Sequence, residues 1–138
     1  MSPRPTLDTL VSKHELLCAY LFGSRADEGL KVLQGQPAER EGSDLDVGVA
    51  FVDPDFDVLR LADLQVDLED LFAPLRVDVV PLQRVDALFG FRAIDGHRIA
   101  APDSTRADLW ELVVMRKAAE LLPIQRRLEE ERFGISTS

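Results

Sequence analysis

The stretch Gly42-Ser43-Asp44-Leu45-Asp46-Val47-Gly48-Val49 constrains this chain more than any other. From Asp44 onward, apolar residues alternate with acidic or small ones at a period of two, the pattern of a strand with one buried face. The alternation predicts a strand over residues 44–52. Leu45 and Val47 point into a core, while Asp44 and Asp46 point together the other way. Two carboxylates on one face repel each other and lose solvation. A divalent cation held between them relieves both costs. The plain alternative is a solvated strand face or the turn that starts it.

Two other stretches bear on that choice. Residues 15–22 form an apolar run of the length that suits a buried central strand, and Gly23-Ser24 closes it. Gly23 lets the backbone approach a ligand closely. Ser24 adds a hydroxyl where a short helix over residues 25–31 would begin, and the free N–H groups of a helix start favour anions such as phosphate. Arg25 is either a surface arginine or a phosphate contact. Further on, Arg76-Val77-Asp78-Val79-Val80 predicts a third strand, with Val77 and Val79 facing away from Asp78. Asp78 on its own could simply face water. If its strand neighbours Asp46, three carboxylates converge, and two metal ions there would clamp the attacking and leaving oxygens of an in-line displacement.

The remaining elements follow from period and punctuation. Leu7, Leu10 and Val11 predict a helix over residues 6–14. Gly29, Gly35 and Gly42, with Pro37, mark residues 29–42 as a loop or hairpin-like excursion. Asp53-Pro54-Asp55 is a turn, and Asp55 or Asp57 caps a helix over 58–72 with Leu61, Leu64, Leu68, Leu71 and Phe72 as its apolar stripe. Residues 85–94 read as a short helix and 98–100 as a short edge strand. A long helix starts near Ser104, where Thr105 and Asp108 resemble a capping box. Pro123 is expected to kink or interrupt it before a last helical piece over 125–132 and a loose tail at 134–138. This predicts an α+β chain with a small mixed sheet of three to four strands flanked by helices. It reads as one domain over 1–138, with a core at about 7–122 and a C-terminal extension.

Net charge is −9, from 16 basic and 25 acidic side chains. That argues against direct binding to nucleic acid phosphates, but not against a nucleotide whose charge a metal neutralises. Cys18, the only cysteine, sits in an apolar context and reads as a small buried hydrophobe. No apolar run reaches the length of a membrane span, and no signal-peptide pattern follows Met1, so a cytoplasmic location is expected. Asp53, Asp55 and Asp57 begin like a calcium loop, but Val58 stands where glycine is needed and Leu64 where glutamate is needed. His14 and His97 show no ligand pattern. Trp110 reads as a core or partner-contact residue.

Leu21-Phe22-Gly23-Ser24-Arg25-Ala26, Gly42-Ser43-Asp44-Leu45-Asp46-Val47 and Val77-Asp78-Val79-Val80, in this order, resemble the nucleotidyltransferase superfamily of the DNA polymerase beta type. The closer resemblance is to the minimal nucleotidyltransferases, the MntA-type antitoxins paired with HEPN-domain toxins. It covers about residues 7–120 and implies the nucleotidyltransferase fold. It implies Asp44, Asp46 and Asp78 as catalytic residues and ligands of one or two Mg²⁺, Asp78 helping to deprotonate the acceptor. It implies Gly23, Ser24, Arg25 and Ser43 as nucleotide-binding residues. The activity implied is transfer of AMP from ATP to a hydroxyl, a tyrosine on a partner HEPN toxin, in a homo- or hetero-oligomer. A binding module without catalysis and a transferase for an aminoglycoside-like small molecule are the rival expectations. The 19 residues between Ser24 and Asp44 exceed the family's usual spacing. Their excess predicts a mobile flap beside the phosphate site.

Overall fold

The protein is described by a computed structural model over residues 4–133. Helix α1 (Arg4–Lys13) buries Leu7 and Val11 and turns through Glu15, at φ 52°, into strand β1 (Leu16–Phe22). Every residue of β1 is buried, as an unbroken apolar run requires of a central strand. Helix α2 (Ala26–Leu33), strand β2 (Leu45–Phe51) and helix α3 (Val58–Phe72) follow. Next come strand β3 (Val77–Pro81), one 3₁₀ turn (Leu82–Arg84), helix α4 (Ala87–Ile94), strand β4 (His97–Ala100) and helix α5 (Ser104–Phe133).

The four strands form one mixed sheet in the order β3-β2-β1-β4. β1 is antiparallel to both neighbours, and β2 runs parallel to β3, with α3 as the crossover. On one face Leu45, Val47, Val49 and Phe51 pack with Leu7 of α1, Val32 and Leu33 of α2, and Leu64, Leu68 and Phe72 of α3. On the other, Cys18, Tyr20, Phe22 and Ala50 pack with Leu82, Ala93 of α4, and Ala107 and Trp110 of α5. This is the flanked α+β sheet expected from the alternation.

Asp57 caps α3, its Oδ1 accepting from the Arg60 N–H at 2.9 Å. Four local expectations are corrected. β2 begins at Leu45, so Asp44 precedes the strand and does not open it. α2 runs on through Gly29 to Leu33, and the irregular segment is shorter than the glycines suggest. Gly29 is a packing residue: a Cβ there would stand 2.8 Å from Leu21 Cδ1 and 2.9 Å from Leu45 Cδ1, so only glycine lets α2 lie this close to the sheet. At α5, Asp103 Oδ1 accepts from the Arg106 N–H at 3.1 Å, replacing the capping box expected at Thr105. α5 also continues through Pro123, so the proline does not interrupt it. Residues 119–125 are exposed, so water can take up the Ala119 carbonyl that the proline leaves without a donor. The tail expected at 134–138 lies outside the described residues.

Candidate active site

Asp46 and Asp78 are the second residues of two neighbouring parallel strands. Leu45 pairs with Val77, so Asp46 and Asp78 stand directly opposite each other. Their neighbours Leu45, Val47, Val77 and Val79 are buried on the α3 side, which sends both carboxylates to the opposite face. Asp46 is half-buried and Asp78 exposed. Burial, followed by the charges of Asp78 and Asp44, raises the Asp46 pKa above the ordinary carboxylate value, and Arg92 acts the other way.

The Gly-Ser turn meets Asp46 from the other side. Phe22, the last residue of β1, pairs with Asp46. Gly23 follows at φ +77°, and a Cβ there would overlap Asp46 Oδ2. Glycine is therefore required twice, for a left-handed backbone and for the space the carboxylate occupies. Ser24 Oγ lies 3.0 Å from Ser43 Oγ, which ties the turn to the residue before Asp44.

Arg25 is not a surface arginine. It is 5% exposed. It donates to Ser43 O at 3.0 Å, to Glu39 O at 2.6 Å and to Glu28 Oε2 at 2.5 Å. The segment expected to be a flap is thus fastened to the first turn of α2 at two carbonyls. Arg25 stands where the family resemblance places a nucleotide contact, but its guanidinium is committed to holding the loop that delivers Ser43 and Asp44.

Asp44 is the outlying member of the three. It is exposed, and its Oδ1 lies 3.4 Å from Arg76 Nε. Among the described residues no three His, Cys, Asp or Glu side chains form a preformed metal cage. The donor set nevertheless suits Mg²⁺, which takes one or two carboxylates together with phosphate oxygens and water. The raised pKa of Asp46 marks the place where a cation would relieve repulsion.

Arg92, which the sequence does not single out, stands at the same site. It lines a cleft of about 310 Å³ with Gly23, Ser24, Asp27, Asp95 and His97. The only local signal for it is Phe89 three residues earlier, whose ring lies 5.8 Å from the guanidinium. Neither that cleft nor a larger cavity of about 720 Å³ elsewhere is lined by the three aspartates, but the cleft includes Gly23, which lies against the Asp46 carboxylate, and the larger cavity, lined by Val11, Ser12, Glu15, Leu16, Val52 and Ile99, does not.

The other candidates take structural places. His14 is buried, with Nε2 2.6 Å from Asp67 Oδ2, and His97 Nε2 lies 2.9 Å from Asp27 Oδ1. Trp110 packs against Tyr20 with ring centroids 6.4 Å apart. Cys18 is fully buried, and burial pushes its thiol up to about 11. No helix among the described residues is long and apolar enough to cross a membrane.

The same fold occurs in crystal structures of toxin–antitoxin complexes. A mutant of the pair MntA–HpeT aligns with TM-score 0.70 and 15% identity, over 94% of this chain and 98% of the other. A toxin–antitoxin structure with AMP-PNP aligns with TM-score 0.67 and 16% identity over 94% and 98%. A tri-AMPylated HEPN toxin in complex with MNT antitoxin, from Shewanella oneidensis, aligns with TM-score 0.68 and 16% identity over 95% and 96%. No curated protein sequence matches the chain. Residues 6–105, which contain Gly23, Ser24, Ser43 and all three aspartates, match the model of the family described as polymerase beta, nucleotidyltransferase, and the chain belongs to that family.

Proposed function

We propose that this protein is a Mg²⁺-dependent adenylyltransferase that moves AMP from ATP to a tyrosine hydroxyl of a partner HEPN toxin and so acts as its antitoxin. The observation that carries the reading is the pairing of Asp46 with Asp78, beside a Gly23-Ser24 turn that leaves room for a carboxylate. In the transfer, the acceptor oxygen forms a bond to the α-phosphorus. The bond from that phosphorus to the bridging oxygen of the β-phosphate breaks, and pyrophosphate leaves. Asp78, exposed at the edge of the pair, takes the hydroxyl proton. Asp44 and Asp46, with Asp78, would hold Mg²⁺, which when bound neutralises the triphosphate and polarises the reacting phosphoryl group. Ser24 and Ser43 bind phosphate oxygens, and Arg25 keeps Ser43 in place.

The choice of partner rests on fold-level likeness. One structural relative is described with AMP-PNP, and another with a tri-AMPylated HEPN toxin. It also has support within this chain. Leu109, Leu112, Ile124 and Leu128 of α5 are each more than half exposed. Exposed large apolar side chains in this number on one helix suit contact with another protein. We place the enzyme in the cytoplasm, with residues 1–138 as one domain whose core ends near 122 and whose last turns of α5 serve the partner. The same exposed residues of α5 also favour a second reading, in which the chain neutralises its partner by association alone.

Labelled ATP, Mg²⁺ and the product of any neighbouring HEPN gene separate the two readings. Transfer of label to a tyrosine that is lost with Asp44→Asn/Asp46→Asn supports the enzyme. Label transfer that survives the double substitution would contradict the catalytic assignment. Neutralisation that survives without transfer favours association.

A further inference from the structure

We infer that Arg92 is the residue through which this site reads a triphosphate, its guanidinium receiving the β- and γ-phosphates in the cleft between the Gly23-Ser24 turn and the α4–β4 turn. The inference deepens the nucleotidyltransferase reading and rests on it. What it adds is a cation for the part of the substrate that leaves as pyrophosphate.

Position comes first. Arg92 lies on α4 and lines the cleft whose other wall is Gly23 and Ser24. Gly23 on that wall lies against the Asp46 carboxylate, so the cleft adjoins whatever the aspartates hold. Its neighbours among the arginines are engaged. Arg25 holds the 34–44 segment, Arg76 lies beside Asp44, and Arg98 is paired with Asp108 at 2.6 Å and Glu111 at 3.2 Å. Among the described residues no ion pair or side-chain hydrogen bond takes up Arg92.

Its orientation is supported by stacking. The guanidinium carbon lies 5.8 Å from the Phe89 ring centroid, and Phe89 meets Phe22 edge-on with centroids 5.8 Å apart. Phe22 is the residue before Gly23. A chain of aromatic contacts thus ties the cation to the turn itself, which lowers the entropy lost when a phosphate binds.

The charge balance of the cleft fits the same ligand. Asp27 and Asp95 also line it, and both would repel phosphate. Asp27 already faces His97 at 2.9 Å. Arg92 is then the cation free to offset Asp95 and to offer a two-pronged donor to phosphate oxygens. A surface arginine with no such duty would show no dependence on how many phosphates the ligand carries, and this is the measurable difference.

Calorimetric titrations of wild type, Arg92→Met and Arg92→Lys with AMP-PNP, AMP and inorganic pyrophosphate, each with Mg²⁺, test the inference. Arg92→Met should weaken AMP-PNP and pyrophosphate about tenfold or more while leaving AMP within about twofold. Arg92→Lys should recover part of the loss, since it keeps the charge but not the fork. Unchanged circular dichroism and melting temperature show that the fold is intact. Equal weakening of AMP and AMP-PNP, or no weakening of either, overturns the role of Arg92. A wild type that binds AMP-PNP no more tightly than AMP overturns it too and leaves the nucleotide reading standing. A wild type that binds none of the three overturns the nucleotide reading itself.

Discussion

The two faces of β2 do opposite things. Toward α3 it presents Leu45, Val47, Val49 and Phe51, all without measurable exposure. Toward α4 it presents Asp46, Gly48 and Ala50. Burial of each large apolar side chain on the first face stabilises the fold by about 1.5–3 kcal/mol. The second face returns little of this. Gly48 is small because Leu82 lies over it, at 3.0 Å from where a Cβ would stand, and Asp46 is held where its own charge is unwelcome. One side of a single strand is built for stability and the other yields stability to a site, as functional positions commonly do.

Substitutions on the two faces should therefore separate activity from stability. The largest effect belongs to Asp46→Asn. Label transfer should fall by about a thousandfold or more, since the variant removes a charge the proposed phosphoryl chemistry needs. Retention of a tenth of the activity would break the contrast. On the other face, Leu64→Ala opens a cavity under β2 and should cost about 2–4 kcal/mol in urea unfolding. AMP-PNP affinity measured well below the transition should change less than twofold; a large loss there would mean that the two faces are not separable.

Arg25 lies at the seam between them. Arg25→Met should expose the 34–44 segment to limited proteolysis and weaken AMP-PNP several-fold, because Ser43 loses its tether. Proteolysis at the wild-type rate would show that the other contacts of the loop suffice.

The smallest effect is thermal and depends on pH. Folding raises the Asp46 pKa above its ordinary value of 3.8, burial being the first cause and the neighbouring carboxylates the second. The folded state therefore binds the Asp46 proton more tightly than the unfolded state does. The resulting penalty is fully present above the raised pKa, and it disappears as pH falls through the raised value and below the unfolded one. Asp46→Asn removes the penalty. It should melt above wild type at pH 7.5, with the gap closing as pH approaches 3.8. A gap that is constant across that range would assign the gain to something other than charge.

Much of the site was legible because it is written in local alternation. Leu45-Asp46-Val47 and Val77-Asp78-Val79 each state which side their acid takes, whatever the rest of the chain does. That both take the same side of one sheet depends on register, and a one-residue slip would have sent Asp78 to the other face. The loop-holding role of Arg25 was not legible, since, apart from Glu28, its partners are backbone carbonyls 14 and 18 residues away. Arg92 was hidden for a similar reason. An exposed arginine on a short helix carries no mark of the turn it faces across the cleft. Gly29 misled because a glycine that ends a helix and one that lets a helix touch a sheet look alike in sequence. The course of α5 through Pro123 was hidden because proline's cost depends on whether solvent reaches the carbonyl it abandons.

The overlap between a Cβ at residue 23 and the Asp46 carboxylate makes the two halves of the motif a single heritable unit. Drift at either position is answered by the other. Gly23→Ala should be poorly tolerated on its own, and part of its folding defect should be relieved by Asp46→Gly, which vacates the contested volume. The relieved protein would be folded and silent. A lineage that lost Asp46 would be relieved of the clash at 23 but would still need a residue that accepts the left-handed backbone there. A chain with Gly23 replaced and Asp46 kept would have to turn the Asp46 carboxylate aside from the place it now holds.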